Sequence, residues 1–201
     1  MIIKEMIRLD SHHYFIAIPP GKQIREIIEE WSLAFKEHFS YKVWVHKDDY
    51  HITLAFLGAA TDPSLAQMKD NLSIALKKFT PFKLELKGTG GFGKPKTPRV
   101  LWAGVSEPDV LFSLQDEVKR ACETTGFKLD ERPYRPHITI AKKWDGAGEV
   151  SYDWMKDVTG EKENRFSWNV DKIVLYKIHR NKKPHYEAIF EFPLFQDNET
   201  F

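Results

Sequence analysis

The chain has 201 residues, 42% hydrophobic and 29% charged, a composition that leaves room for a proper core and excludes wholesale disorder. Thirty Lys and Arg against 29 Asp and Glu give a net charge of +1, so no general basic field exists to hold a long duplex, and a nucleic-acid partner would be gripped locally, for example at an end. The one cysteine, Cys122, excludes an internal disulfide framework and a multi-cysteine zinc site, and its apolar helical setting reads as a buried thiol.

Met1 to Arg8 breaks its apolar residues with charges and has no signal-peptide core, and no apolar run approaches the roughly 18 residues of a membrane span. The expectation is a cytoplasmic protein. Tyr14 to Ile18 reads as a strand closed by Pro19-Pro20-Gly21. Ile24, Ile27, Ile28, Trp31, Ala34 and Phe35 then recur at helical spacing. Tyr41 to Val45 and Tyr50 to Leu57 read as strands with a turn at Asp48-Asp49.

Thr61-Asp62-Pro63 opens a helix whose expected buried stripe is Leu65, Met68, Leu72, Ala75, Leu76 and Phe79 and which stops at Pro81. Phe82, Leu84 and Leu86 alternate with charged residues, a half-exposed strand. Gly88 to Gly93 is glycine-dense, but Lys94-Pro95-Lys96-Thr97-Pro98 after it cannot open the helix a nucleotide-binding glycine loop requires. It reads as a turn joining two halves, with Phe92 near a cleft.

Arg99 to Val105 is a predicted strand, Ser106 a cap for a helix carrying Val110, Leu111, Leu114, Val118, Ala121 and Cys122, and Gly126 its left-handed stop. A proline-containing approach over Arg132 to Pro136 leads to another strand. Lys142 to Arg165 is polar, with one helical turn at Tyr152 to Met155, and reads as a flap or a surface excursion. Phe166 to Ile178 and Tyr186 to Phe192 resume strand patterns, and Gln196 to Phe201 reads as a frayed end.

Two of these strands share a pentapeptide: His51-Ile52-Thr53-Leu54-Ala55 and His137-Ile138-Thr139-Ile140-Ala141. Alternation puts His and Thr on one face and the aliphatic residues on the other. A single His-x-Thr is more often structure than function; the duplication, with His the least strand-like member, points to a paired site. The histidines lie 86 residues apart (137 − 51), close to half the chain. The expected fold is therefore α+β: one domain over 1–201 with two pseudo-symmetric lobes, approximate halves 1–93 and 94–201, each an antiparallel sheet with flanking helices, around a central groove.

The paired motif, its second copy lying inside Arg132-Pro133-Tyr134-Arg135-Pro136-His137-Ile138-Thr139-Ile140, resembles the two-histidine phosphoesterase superfamily, in particular its LigT-like branch of RNA 2′,3′-cyclic phosphodiesterases. Phe15-Ile16-Ala17-Ile18-Pro19, Leu54-Ala55-Phe56-Leu57-Gly58, and Gly90-Gly91-Phe92-Gly93 leading to Arg99-Val100-Leu101-Trp102 fit the same branch. The resemblance runs from about Tyr14 to about Leu175.

It implies a metal-independent hydrolase, without cofactor, acting on RNA ends or short oligonucleotides that carry a 2′,3′-cyclic phosphate. It also implies His51 as proton donor to the leaving group, His137 as the base for water, and Thr53 and Thr139 as donors to the phosphate oxygens. The motifs are equivalent in type, so the division of roles rests on the resemblance alone. Where the family commonly has Arg shortly after the second motif this chain has Lys142, a point charge without the bidentate fork. Arg135 and Lys143 are alternative cations, Tyr14 and Phe92 candidates for stacking a terminal base, and Lys177, His179, Arg180, Lys182 and Lys183 a basic cluster suited to an RNA end or to a solvated turn. A monomer is expected.

Other readings compete. Eight histidines suggest zinc, but there is no His-Glu-x-x-His and His12-His13 would point to opposite faces. The His-x-His-x-His pattern of histidine-triad hydrolases is also missing. Within the same chemistry the alternatives are a 2′-5′ RNA ligase and a phosphodiesterase for small cyclic nucleotides; outside it, a noncatalytic RNA-end binding module.

Overall fold

The structure is a computed structural model that describes residues 12–146, 148–160 and 165–195; the expectations for Met1 to Arg8 and Gln196 to Phe201 concern residues outside these. In chain order the elements are β1 (His13–Ile18), α1 (Lys22–His38), β2 (Tyr41–Trp44), β3 (Ile52–Ala59), α2 (Asp62–Ala75), β4 (Phe82–Gly93), β5 (Pro98–Val105), α3 (Asp109–Glu123), β6 (His137–Trp144), α4 (Tyr152–Thr159), β7 (Ser167–Val170), β8 (Lys172–Ile178) and β9 (Tyr186–Pro193). The strands run in the order β7-β4-β5-β6-β3-β1-β8-β9, with β2 beside β6, and every pairing is antiparallel.

The predicted stripes form the core. Ile24, Ile28, Trp31 and Phe35 of α1, Leu65, Met68 and Leu72 of α2, and Leu111, Leu114, Val118 and Cys122 of α3 are buried against one face of the sheet, in one contiguous cluster with Ile16, Ile52, Leu54, Leu101, Ile138 and Ile140. Burial in that cluster pushes the Cys122 thiol up to about 12. Thr61 caps α2 in a reciprocal bond with Ser64, and Gly126 after α3 adopts φ +88.

The sheet path falls into two groups of strands, with β2 added to the first beside β6, that meet where β3 pairs with β6 through a single Cα pair, Ile52 with Ile138. One group is β7-β4-β5-β6 and the other β3-β1-β8-β9. The chain crosses between them, so neither group is a sequential half bounded at residue 93. β8 and β9 return to β1, and α3, which follows β5, packs on β3 of the opposite group.

Four local expectations are corrected. Gly88 to Gly93 is not a turn but the second half of β4, paired with β5 as far as Gly93 and Pro98. Its glycines serve close approach: a Cβ at Gly90 would lie 2.3 Å from the Trp102 ring, and one at Gly91 would lie 2.4 Å from the Pro98 side chain. Ser106 does not cap α3, whose cap position is Pro108; its Oγ accepts the Glu85 N–H at 3.0 Å and extends the β4–β5 edge.

The single turn at Tyr152 to Met155 is an eight-residue helix, α4, started by Ser151 and ended by a left-handed Gly160. Met155 is fully buried and Trp154 packs on Phe35, His38 and Phe39. That packing anchors the described part of the 142–165 segment, which begins with the end of β6, and is not what a flap would show. The run from Phe166 to Ile178 is two strands, split at Asp171, that sit in opposite groups.

Candidate active site

Both histidines lie at the junction of the two groups, each immediately before the isoleucine of the joining pair. His51 Nδ1 is 2.7 Å from the Asp49 carbonyl oxygen, and His137 Nδ1 is 2.7 Å from that of Arg135. A carbonyl can only accept, so Nδ1 carries a proton in both rings. Nε2 is left for chemistry in each: a lone pair in the neutral ring, an N–H in the cation.

The equivalence extends through the strands. Ile18 pairs with Ile52, Ala17 with Thr53, Ile16 with Ala55 and Phe15 with Phe56; on the other side Ala103 pairs with Ile138, Trp102 with Thr139, Leu101 with Ala141 and Val100 with Lys142. Leu54 and Ile140, the fourth residue of each pentapeptide, are skipped in both registers, so each motif strand carries a bulge at the same position. The bulge resets the alternation. His and Thr share the groove face, and the next residue on that face is the sixth of the motif, Phe56 in one strand and Lys142 in the other.

Thr53 and Thr139 are half-buried, and neither hydroxyl has a protein hydrogen-bond partner among the described residues. Aromatic rings wall the histidines. Phe15 lies 4.7 Å from His51 and Tyr186 5.2 Å from it edge-on, while Phe92 lies 4.8 Å from His137 edge-on and Trp102 6.4 Å from it.

This setting governs charge. Burial pushes His51 down to about 4, against the opposing pull of its bond to Asp49, and the Lys142 cation and His137 lower it further. His137 is lowered chiefly by burial, with Lys142 acting in the same direction. Lys142 is itself lowered by burial, and the Asp49 charge offsets part of that effect. Burial and the neighbouring lysine thus both favour the neutral form of each imidazole, and an anion beside them would act in the opposite direction.

Asp49 is a functional residue that sequence reasoning missed. The pair Asp48-Asp49 reads as a turn and does form a short 3-10 turn, Lys47–Asp49, yet Asp49 is only 4% exposed. Its carboxylate accepts the backbone N–H groups of His185 at 2.9 Å and Tyr186 at 3.0 Å. One residue thus orients His51 through its carbonyl and anchors, through its carboxylate, the strand that brings Tyr186 against the same ring. The partners lie 136 and 137 positions away in the chain, so no local pattern announces them.

The other expected residues divide. Phe92 packs on His137 and Lys142 faces the groove; Arg135 contributes its carbonyl to His137 while its side chain is exposed. Lys143 is exposed, with φ 63. Tyr14 is corrected: at 6% exposure it belongs to the helix-side core, because its neighbour Phe15 takes the groove face, and it offers no surface to a base. Arg180, Lys182 and Lys183 are exposed in the turn between β8 and β9, and His179 pairs with Glu187.

The sequence model of the 2′-5′ RNA ligase superfamily matches residues 19–182. The chain belongs to that superfamily. It is 38% identical over 182 residues to an RNA 2′,3′-cyclic phosphodiesterase of Geobacillus stearothermophilus, covering 90% of this chain and 57% of that protein. A Bacillus subtilis protein of the same name is 32% identical over 182 residues, covering 90% of this chain and 96% of that one. The fold is that of E. coli LigT, crystallised with 3′-AMP, at a TM-score of 0.69 and 24% identity over 93% of this chain and 100% of that one. No helix among the described residues is long and apolar enough to cross a membrane.

Proposed function

We propose that the chain is an RNA 2′,3′-cyclic phosphodiesterase, a hydrolase that opens terminal 2′,3′-cyclic phosphates to 2′-phosphomonoesters by acid–base catalysis between His51 and His137. The observation that carries this reading is the matched pair of Nδ1–carbonyl bonds, which leaves two Nε2 atoms for proton transfer, each on a strand whose threonine hydroxyl has no protein partner among the described residues. Its curated relatives bear the name of this activity.

The reaction requires water to attack phosphorus while the 3′ oxygen departs on the opposite side. In this reading His137 Nε2 takes the proton of the attacking water, and His51 Nε2–H gives one to the departing oxygen; the 2′ ester bond is kept. The Thr53 and Thr139 hydroxyls and the Lys142 ammonium meet the non-bridging oxygens, where charge grows in the pentacoordinate transition state. Arg135 and the Arg180–Lys183 turn meet the phosphates of the RNA beyond the end. Every step is assigned to side chains of this chain, with no metal, in one two-lobed domain acting as a monomer in the cytoplasm.

The test is product analysis. A short RNA ending in a 2′,3′-cyclic phosphate is incubated with the protein in excess chelator, and the ends are separated as 2′- or 3′-monoesters. This reading expects the 2′-phosphate alone. A 3′-phosphate product, or dependence on added metal, would overturn it, and tight RNA binding without turnover would mark a binding module instead.

A further inference from the structure

Each motif strand carries its bulge at the fourth residue of the pentapeptide, and a bulged residue is left without a partner in the ladder. The two bulges are served by unlike groups. In β6 the Ile140 carbonyl accepts the backbone N–H of Val45 at 2.9 Å, just past the end of β2. In β3 the Leu54 carbonyl accepts the side-chain amide of Gln115 in α3, with Nε2 3.3 Å from the oxygen. The difference follows from what flanks each strand. β2 runs beside β6 from Tyr41 opposite Trp144 to Trp44 opposite Ala141, whereas β3, paired with β1 along its length, meets a described strand on its other side only at Ile52. There α3 packs on it.

Helical spacing places Gln115 for this contact. It stands four residues after Leu111 and three before Val118, both fully buried, so its amide lies on the stripe that α3 turns toward the sheet. A neutral amide on such a stripe requires a partner, and the carbonyl of the bulge requires a donor. Each satisfies the other.

Thr53 immediately precedes the bulge. A bulge bends its strand and re-aims the side chains beside it, so the direction in which Thr53 presents its hydroxyl to the groove depends on how the Leu54 peptide is held. We propose that Gln115 is a positioning residue for Thr53, acting through the Leu54 carbonyl from the helix-covered face of the sheet. The two threonines of the groove are then fixed by different means, Thr139 through a backbone bond to its bulge and Thr53 through a side chain. The proposal rests on the phosphodiesterase reading, in which both hydroxyls meet the phosphate, and adds a residue outside the groove.

The experiment uses Gln115→Met, which keeps the length and packing of the side chain and removes the donor. Steady-state kinetics on a short RNA ending in a 2′,3′-cyclic phosphate are measured for this variant alone and combined with Thr53→Val or with Thr139→Val. The expected result is a loss of about threefold to tenfold in kcat for Gln115→Met, the scale of one neutral hydrogen bond. That loss should vanish in the Thr53→Val background and persist in the Thr139→Val background, a distinction that a general loosening of the fold would not make. Parental kcat in Gln115→Met, or equal further losses in both backgrounds, would overturn the proposal. Were the parent to turn over no cyclic phosphate, the phosphodiesterase reading would fall by itself. Hydrogen exchange would then decide the bulge: Gln115→Met must speed exchange of the amides at 54–56 and not of those at 140–142, and unchanged rates at 54–56 would overturn the proposal.

Discussion

The Asp49 carboxylate accepts the Tyr186 backbone N–H at 3.0 Å, and the Tyr186 ring stands edge-on to His51 at 5.2 Å. His51 is therefore held on two sides by one buried residue, and its counterpart His137 has no such arrangement, because Arg135 offers only a carbonyl from an exposed position.

Removing the carboxylate leaves two N–H groups without an acceptor. Asp49→Ala is expected to destabilise the protein by roughly 2–4 kcal/mol, the cost of two unsatisfied buried donors. Asp49→Asn keeps one acceptor oxygen and is expected to cost about half as much while lowering kcat more than it raises KM, since it loosens His51 and leaves the phosphate contacts intact. Denaturant melts and steady-state kinetics on both variants check this; an Asp49→Asn enzyme with parental kcat would show that the anchor does not serve His51.

The depressed histidines make stability depend on pH. His51 in the folded chain titrates at about 4, below the roughly 6.5 of an unfolded histidine, so between these values the unfolded chain binds more protons. Stability is thus expected to fall as pH drops from 6.5 to 4, by up to about 3 kcal/mol from His51, with His137 acting in the same direction. Melting curves across that window check the slope, which His51→Gln should reduce.

Gly90 lies under the Trp102 ring, and a Cβ there would stand 2.3 Å from it. Gly90→Ala is expected to cost about 1–3 kcal/mol, as overpacking does, and to lower activity because Trp102 pairs with Thr139 and flanks His137. Gly126→Ala, with open space around its Cβ, is strained only through its φ of +88 and should leave kcat unchanged.

Lys142 lowers both imidazoles through its charge. Lys142→Gln is expected to raise the pKa of His51 and of His137 in an NMR titration, and to raise KM about tenfold or more through the loss of a charge-assisted phosphate contact. Lys142→Arg should retain most of the affinity. Unmoved imidazole titrations in Lys142→Gln would place the lysine outside the groove's electrostatics.

The sequence displayed what repeats and concealed what crosses. The pentapeptide pair is local, and its alternation predicts that Ile52, Leu54, Ile138 and Ile140 are buried while the His and Thr residues share the other face, as they do. Helical stripes such as Ile24, Ile28, Trp31 and Phe35 are legible for the same reason. The bulges are not, since a skipped residue shows only in register, and with them went the placing of Phe56. Asp49 was hidden because its meaning lies in backbone groups near residue 185. Gly90 and Gly91 read as a turn because nothing in the sequence says that Trp102 and Pro98 will lie across them.

The central claim, that two histidines divide one proton transfer, is tested most directly by single-turnover cleavage of a cyclic-phosphate RNA with the parent, His51→Ala, His137→Ala and the double variant. The account predicts a loss of about 10²–10⁴-fold in each single variant and little further loss in the double, since acid and base act as a unit. Retention of near-parental rate by either single variant would contradict it.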